Sequence, residues 1–213
     1  MAYTVRDLVY IGTFGALWGV VEMTLGDLLH AIGPIPLKPL RGSFIAAIGI
    51  GIALVGRLFV PRRGAILMTG IIAMLLKALS PSGQAVLSVM IAVLAESLLA
   101  ELGLLLLGQE RRLGFVLAGA LATGWNMFHP LISRTLLYGQ RLVEVSLSIL
   151  QQGASLLGLD PSVAWLVVGV LLAANMSIGA AGGWVAWSMG GEIQQRLGHR
   201  SQPSPPETEG KQR

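Results

Sequence analysis

The sequence predicts an all-α, polytopic membrane bundle of about six transmembrane helices with both termini inside. Three observations lead there. Of the 213 residues, 54% are hydrophobic and 12% charged, whereas soluble domains carry roughly 25% charge and 45–50% apolar residues. The mean hydropathy of +0.70 leaves too little polar surface to cover a globule in water. The apolar residues also gather into runs near the length of a membrane span, about 20 residues each. Six such spans consume well over half the chain and leave no room for a soluble domain.

The opening MAYTVRD lacks a small-residue cleavage site, so the apolar run behind it reads as a first span (8–31), not a signal peptide. The stretch GPIPLKPLRG ends that span, because proline removes a donor and restricts the residue before it. The second span covers 43–60 and is closed by PRRG. The third, 65–79, is short and turns at SPSG into the fourth, 84–107, as a helical hairpin. A charged loop, QERRLG, leads to the fifth span, 115–137, which contains His129-Pro130. The sixth covers 163–189. Between the last two, 138–160 places Leu142, Val145 and Ile149 at helical spacing among Glu144, Gln151 and Gln152. That pattern reads as an amphipathic helix on the membrane surface, with an irregular extra span as the alternative. Residues 1–191 form one membrane domain, and 192–213 read as a disordered cytoplasmic tail, polar and proline-rich at its end.

Charge sets the orientation. With the N-terminus inside, ten lysines and arginines fall on inner segments and five on outer ones (Lys38, Arg41, Lys77, Arg134, Arg141). The positive-inside rule then puts both termini in the cytoplasm of a prokaryotic cell. The same rule accounts for the net charge of +4 without nucleic acid. Cysteine is absent, which excludes disulfides, thiolate metal sites and cysteine nucleophiles. No H-E-x-x-H, G-x-S-x-G or Walker A motif occurs, so the reading is not an enzyme and has no cofactor or metal site.

Ionisable groups inside spans are costly and face a bundle interior or a cavity. At 1.5 Å per residue, Glu22 lies roughly 20 Å up the first span, and Asn126 and His129 roughly 17–21 Å up the fifth. Glu96 and Asn175 lie roughly 18 Å down from the outer end of the fourth and sixth. With Lys77 near the outer end of the third, these residues share the middle to outer half of the membrane. Asn126 and His129 are three apart, and Trp125 and His129 four apart, so they are neighbours on a helix. An indole, an amide, an imidazole and a carboxylate suit a planar heterocycle bearing an amino or cationic group. The competing reading has Glu96 pairing with Lys77 or His129 to lock the bundle. Asp27 and His30 read as interfacial, and Glu101 either caps a packing contact or pairs with Arg111. Small residues form stripes at Gly12, Ala16 and Gly19, with Gly15 beside them, and at Gly179, Gly182, Ala186 and Gly190. Such stripes let backbones approach. In the last span they read as internal packing, and in the first as either packing or a partner surface.

Together these features resemble the substrate-binding (S) components of energy-coupling factor (ECF) transporters. RDLVYIGTFGALWG is similar to their first helix, and GPIPLKPLRG, PRRGA and SPSG to the branch that takes hydroxymethylpyrimidine or thiamine. The resemblance implies a vitamin or vitamin precursor as ligand, held by Glu22, Lys77, Glu96, Trp125, Asn126, His129 and Asn175. It also implies partners: an ECF transmembrane coupling subunit, docked at Gly12, Ala16 and Gly19, and its ATPase subunits. The complex would reorient the loaded component to release substrate inside.

Overall fold

The computed structural model describes residues 3–31, 38–79, 86–108 and 111–200. Among them there are helices and no strand. In order they are α1 (Val5–Ala31), α2 (Lys38–Phe59), α3 (Ala65–Ala78), α4 (Val86–Leu107), α5 (Arg112–Ile132), α6 (Leu142–Leu157) and α7 (Ala164–Arg200). Five of them, α1, α2, α4, α5 and α7, are long and apolar enough to cross a membrane, which makes this a multi-pass membrane protein.

The third expected span is the exception. At 14 residues, α3 rises roughly 21 Å, against about 30 Å of hydrocarbon. It is nevertheless part of the bundle, packed between α1 and α4. The charged tail also begins later than expected, because α7 continues through residues 192–200 as helix. Those nine residues carry no proline or other helix breaker. Residues 201–213, the SPSG turn and most of GPIPLKPLRG lie outside the described residues, as do the side chains of Asp27 and His30.

Contacts fix which helix ends lie together. The Tyr3 hydroxyl donates to the Arg63 carbonyl at 2.7 Å, and Arg62 pairs with Asp7 at 2.8 Å. Glu101, low on α4, accepts from the backbone N–H groups of Gly64 (2.7 Å) and Ile66 (3.2 Å) at the start of α3. Arg112 lies over the Trp184 ring at 5.1 Å, and Phe115 meets Trp187 edge-on at 5.0 Å. One end of the bundle therefore gathers the starts of α1, α3 and α5 and the later parts of α2, α4 and α7. At the opposite end Arg41 donates to the Gly26 carbonyl at 3.0 Å, tying the start of α2 to α1.

Apolar packing between the helices uses the small residues. Trp18 is fully buried and sits against Gly49 of α2 and Gly70 of α3, so one indole fills the centre where three helices meet. A Cβ at Gly119 would strike the Gly179 carbonyl, and one at Gly179 the Gly119 carbonyl. This reciprocal contact lets α5 and α7 run backbone to backbone. The α7 stripe is thus internal packing, with Gly182 against Ala47 and Gly190 against Leu58.

The stretch 138–160 forms the amphipathic helix its spacing predicts. Val145, Gly153 and Ala154 of α6 are buried, Ala154 packing with Val167 and Leu171 of α7. Gly139 and Gly158 flank α6, both at φ +65°, a left-handed conformation that glycine adopts at no steric cost.

Candidate functional site

The predicted residues fall into three groups. The first is charged and deep. Glu22, Lys77 and Glu96 are all buried, on α1, α3 and α4. Trp18 is one turn before Glu22 on α1, and its indole N–H donates to Glu22 Oε1 over a long 3.4 Å. The Lys77 amine donates to the Glu22 backbone carbonyl, also at 3.4 Å, and lies beside Gly26. Among the described residues, no carboxylate stands at ion-pair distance from Lys77. Glu96 has Glu22 and the Asn126 amide as its electrostatic neighbours, and its Oε2 is buried without a hydrogen-bond partner. The expected alternative, Glu96 paired with Lys77 or His129, is therefore not what the helices build. Buried polar atoms are almost always satisfied, so this carboxylate is an exception that requires a reason.

The second group lines a cavity and is made by a break in α5. Pro130 lies inside that helix. Its nitrogen carries no hydrogen, so the Asn126 carbonyl loses its normal helical donor. One turn on, 133–137 widen into a π-helical turn, a feature often found at functional positions. On the inner side of this break stand Asn126, Met127, His129 and Pro130, with Arg134 beyond it. They line a cavity of about 190 Å³, closed by Gly42 of α2, Ile149 and Gln152 of α6, and Leu171 of α7. His129 Nε2 is held by the Ser88 carbonyl at 2.9 Å, the Ser88 hydroxyl at 3.1 Å and the Ser133 hydroxyl at 2.8 Å. A carbonyl only accepts, so Nε2 is assigned the hydrogen, and in the neutral ring Nδ1 remains an acceptor.

Asn126 joins the first two groups, since its side chain faces the cavity while neighbouring Glu96. Its Nδ2 is buried without a partner, and so is Trp125 Nε1 on the next residue. Trp125 itself does not line the cavity, so stacking of a ligand on that ring is not prepared in this conformation. Glu22, Lys77, Glu96 and Asn175 are likewise outside the lining.

The third group is Asn175, one turn below Leu171 on α7. Its Oδ1 accepts from the Ser43 hydroxyl through a very short contact, and its Nδ2 donates to the Leu171 carbonyl at 2.7 Å. Thr123 donates to the Asn175 backbone carbonyl at 2.7 Å. Asn175 thereby holds α2, α5 and α7 together, with its side-chain amide already engaged.

The three expected docking residues also separate. Gly19 is buried, and a Cβ there would stand 2.9 Å from Leu76 of α3, so it belongs to internal packing. Gly15 likewise faces Ile72. Gly12 faces open space, and Ala16 is half-buried.

Several residues of this region were not singled out from sequence. Ser133 is four residues from His129, and that spacing was available as a signal. Ser88, Ser43 and Gln152 reach the site only through tertiary packing, which no spacing encodes. Glu101 caps α3 and does not pair with Arg111.

No protein-family model matches the chain, and comparisons with curated proteins and with solved structures return no match.

Proposed function

We propose that the protein is the substrate-binding membrane subunit of an ECF-type importer that takes a vitamin or vitamin precursor, a small heterocycle. One observation carries the reading. A proline-broken helix at mid-membrane depth presents Asn126 and His129 to a cavity, while buried polar atoms of Glu96 and Asn126 stand without partners behind it. Lipid-facing bundles have no reason to keep such atoms unless water or a ligand meets them. In this reading the cavity opens outward beneath α6, the arginine-rich end carrying Arg62, Arg63 and Arg112 faces the cytoplasm, and Gly12 and Ala16 meet the coupling subunit. ATP is hydrolysed by partner subunits.

The hydrogen-bonded Asn175, Ser43 and Thr123 favour a second reading, a structural or assembly membrane protein whose polar residues lock helices. Mass spectrometry of small molecules extracted from the purified full-length protein separates the two. A heterocycle that recurs across preparations and is lost in Asn126→Ala supports the importer. Nothing retained in repeated preparations, with no vitamin raising thermal stability, supports the structural protein, and a bound divalent ion would point to a metal carrier. Orientation is tested separately by reporter fusions at Pro36 and Arg213, which report opposite sides of the membrane if the topology is right.

A further inference from the structure

The cavity's lining carries one formal charge, and it is positive. Arg134 stands exposed at its rim, on the π-helical turn, and no acidic side chain lines the space. Arg134 makes no ion pair among the described residues. Its neighbours in the lining are neutral: the amides of Asn126 and Gln152, and the imidazole of His129 with Nε2 already committed to Ser88 and Ser133. Behind Asn126 lie the carboxyl groups of Glu96 and Glu22. An anion pushed to that depth would meet like charge in a low dielectric, whereas one held at the rim keeps water and meets a guanidinium. The volume of about 190 Å³ is below the roughly 300–1,000 Å³ of drug-sized sites, so the ligand is small.

We infer that the cavity takes a small polar ring compound bearing one anionic group, a carboxylate or a phosphate, with the anion on Arg134 at the mouth and the neutral polar end directed to Asn126 and His129. This rests on the cavity being the substrate site, and it narrows the ligand from any small heterocycle to an acidic one. It also replaces the sequence expectation that a carboxylate grips a cationic group. Gln152 adds an amide from α6, though its Nε2 already donates to Ser148 at 3.0 Å.

The test uses matched probes on the full-length protein in nanodiscs: pyridine-3-carboxylate against its amide, and a phosphorylated pyridine alcohol against the free alcohol. Binding is followed by calorimetry and thermal shift. In the unmodified protein at least one anionic member is expected to bind tenfold or more tightly than its neutral partner, and which pair does so tells carboxylate from phosphate. Arg134→Gln should bring that ratio close to one. Arg141→Gln is the control; it removes a nearby exposed cation that sits outside the lining and should leave the ratio intact. If the ratio survives Arg134→Gln, or neutral members bind as tightly as anionic ones, the anion inference is overturned. Should neutral members bind and Asn126→Ala abolish that binding, the site stands without the anion. If no member of either pair binds, both the inference and the placement of the substrate site fall.

Discussion

The two ends of the bundle treat buried charge in opposite ways. At the end where α1, α3 and α5 begin, the charged side chains are partnered. Arg57 donates to the Val60 carbonyl at 2.8 Å and also to that of Arg62, and lies in electrostatic reach of Glu101. Both Glu101 oxygens accept backbone N–H groups, and Asp7 joins Arg62 while closing a capping box with Thr4 (2.9 and 3.2 Å). Halfway up, Glu96 and Asn126 keep buried atoms with no partner, and Lys77 rests on a neutral carbonyl. A residue that is charged and buried carries little information by itself. Whether its atoms are satisfied separates the groups that hold the fold from those left for something else.

The largest effect should come from the partnered end. Glu101→Leu strips α3 of its cap and leaves Arg57 without its carboxylate, so a loss of about 3–5 kcal/mol is expected, read as a lowered unfolding midpoint in detergent. If the midpoint holds, the end is less tightly coupled than its contacts indicate. Next, Gly19→Leu drives a side chain into Leu76 and should cost about 1–3 kcal/mol, measured in the same way. Glu96→Gln should behave unlike Glu101→Leu. Replacing a buried, unpartnered carboxylate by an amide relieves desolvation, so stability stays level or rises. Retained ligand should meanwhile bind about tenfold more weakly, or about 1.4 kcal/mol, because Asn126 loses its charged neighbour. Reduced stability with unchanged affinity would make Glu96 a bundle lock and erase the contrast. The smallest effect on the fold is expected for Gly12→Leu, where nothing lies within reach of the added side chain. Stability and ligand retention should be unchanged, while co-purification with a coupling subunit is lost; intact co-purification would remove Gly12 from the docking surface.

Most of the fold was legible in the sequence, because apolar run length and breaker residues report directly on membrane helices. The surface helix α6 followed from the spacing of Val145 and Ile149, and the α5 break from Pro130. The short α3 was visible as a short run, but its place in the bundle depends on Glu101 and Trp18, which lie on other helices. The site was legible in part. Asn126 and His129 were found because depth and i,i+3 spacing mark them, and both line the cavity. Asn175 had the same depth signature, yet its amide is engaged by Ser43, a partner 132 residues away in sequence. Depth finds polar residues in a membrane; only the packed structure tells which of them have been answered.

The π-helical turn at 133–137 has a consequence for how this chain tolerates length changes. A wide turn holds one residue more than an α-helical path needs. Deleting a single residue there would let α5 continue as ordinary helix while rotating everything after it by roughly 100°. Asn126 and His129 would keep their places, whereas Arg134, or whichever residue inherited its position, would swing off the cavity rim. One codon at this point would thus change what the mouth presents and leave the floor untouched, so insertions and deletions at 133–137 would act on ligand selectivity more readily than on folding.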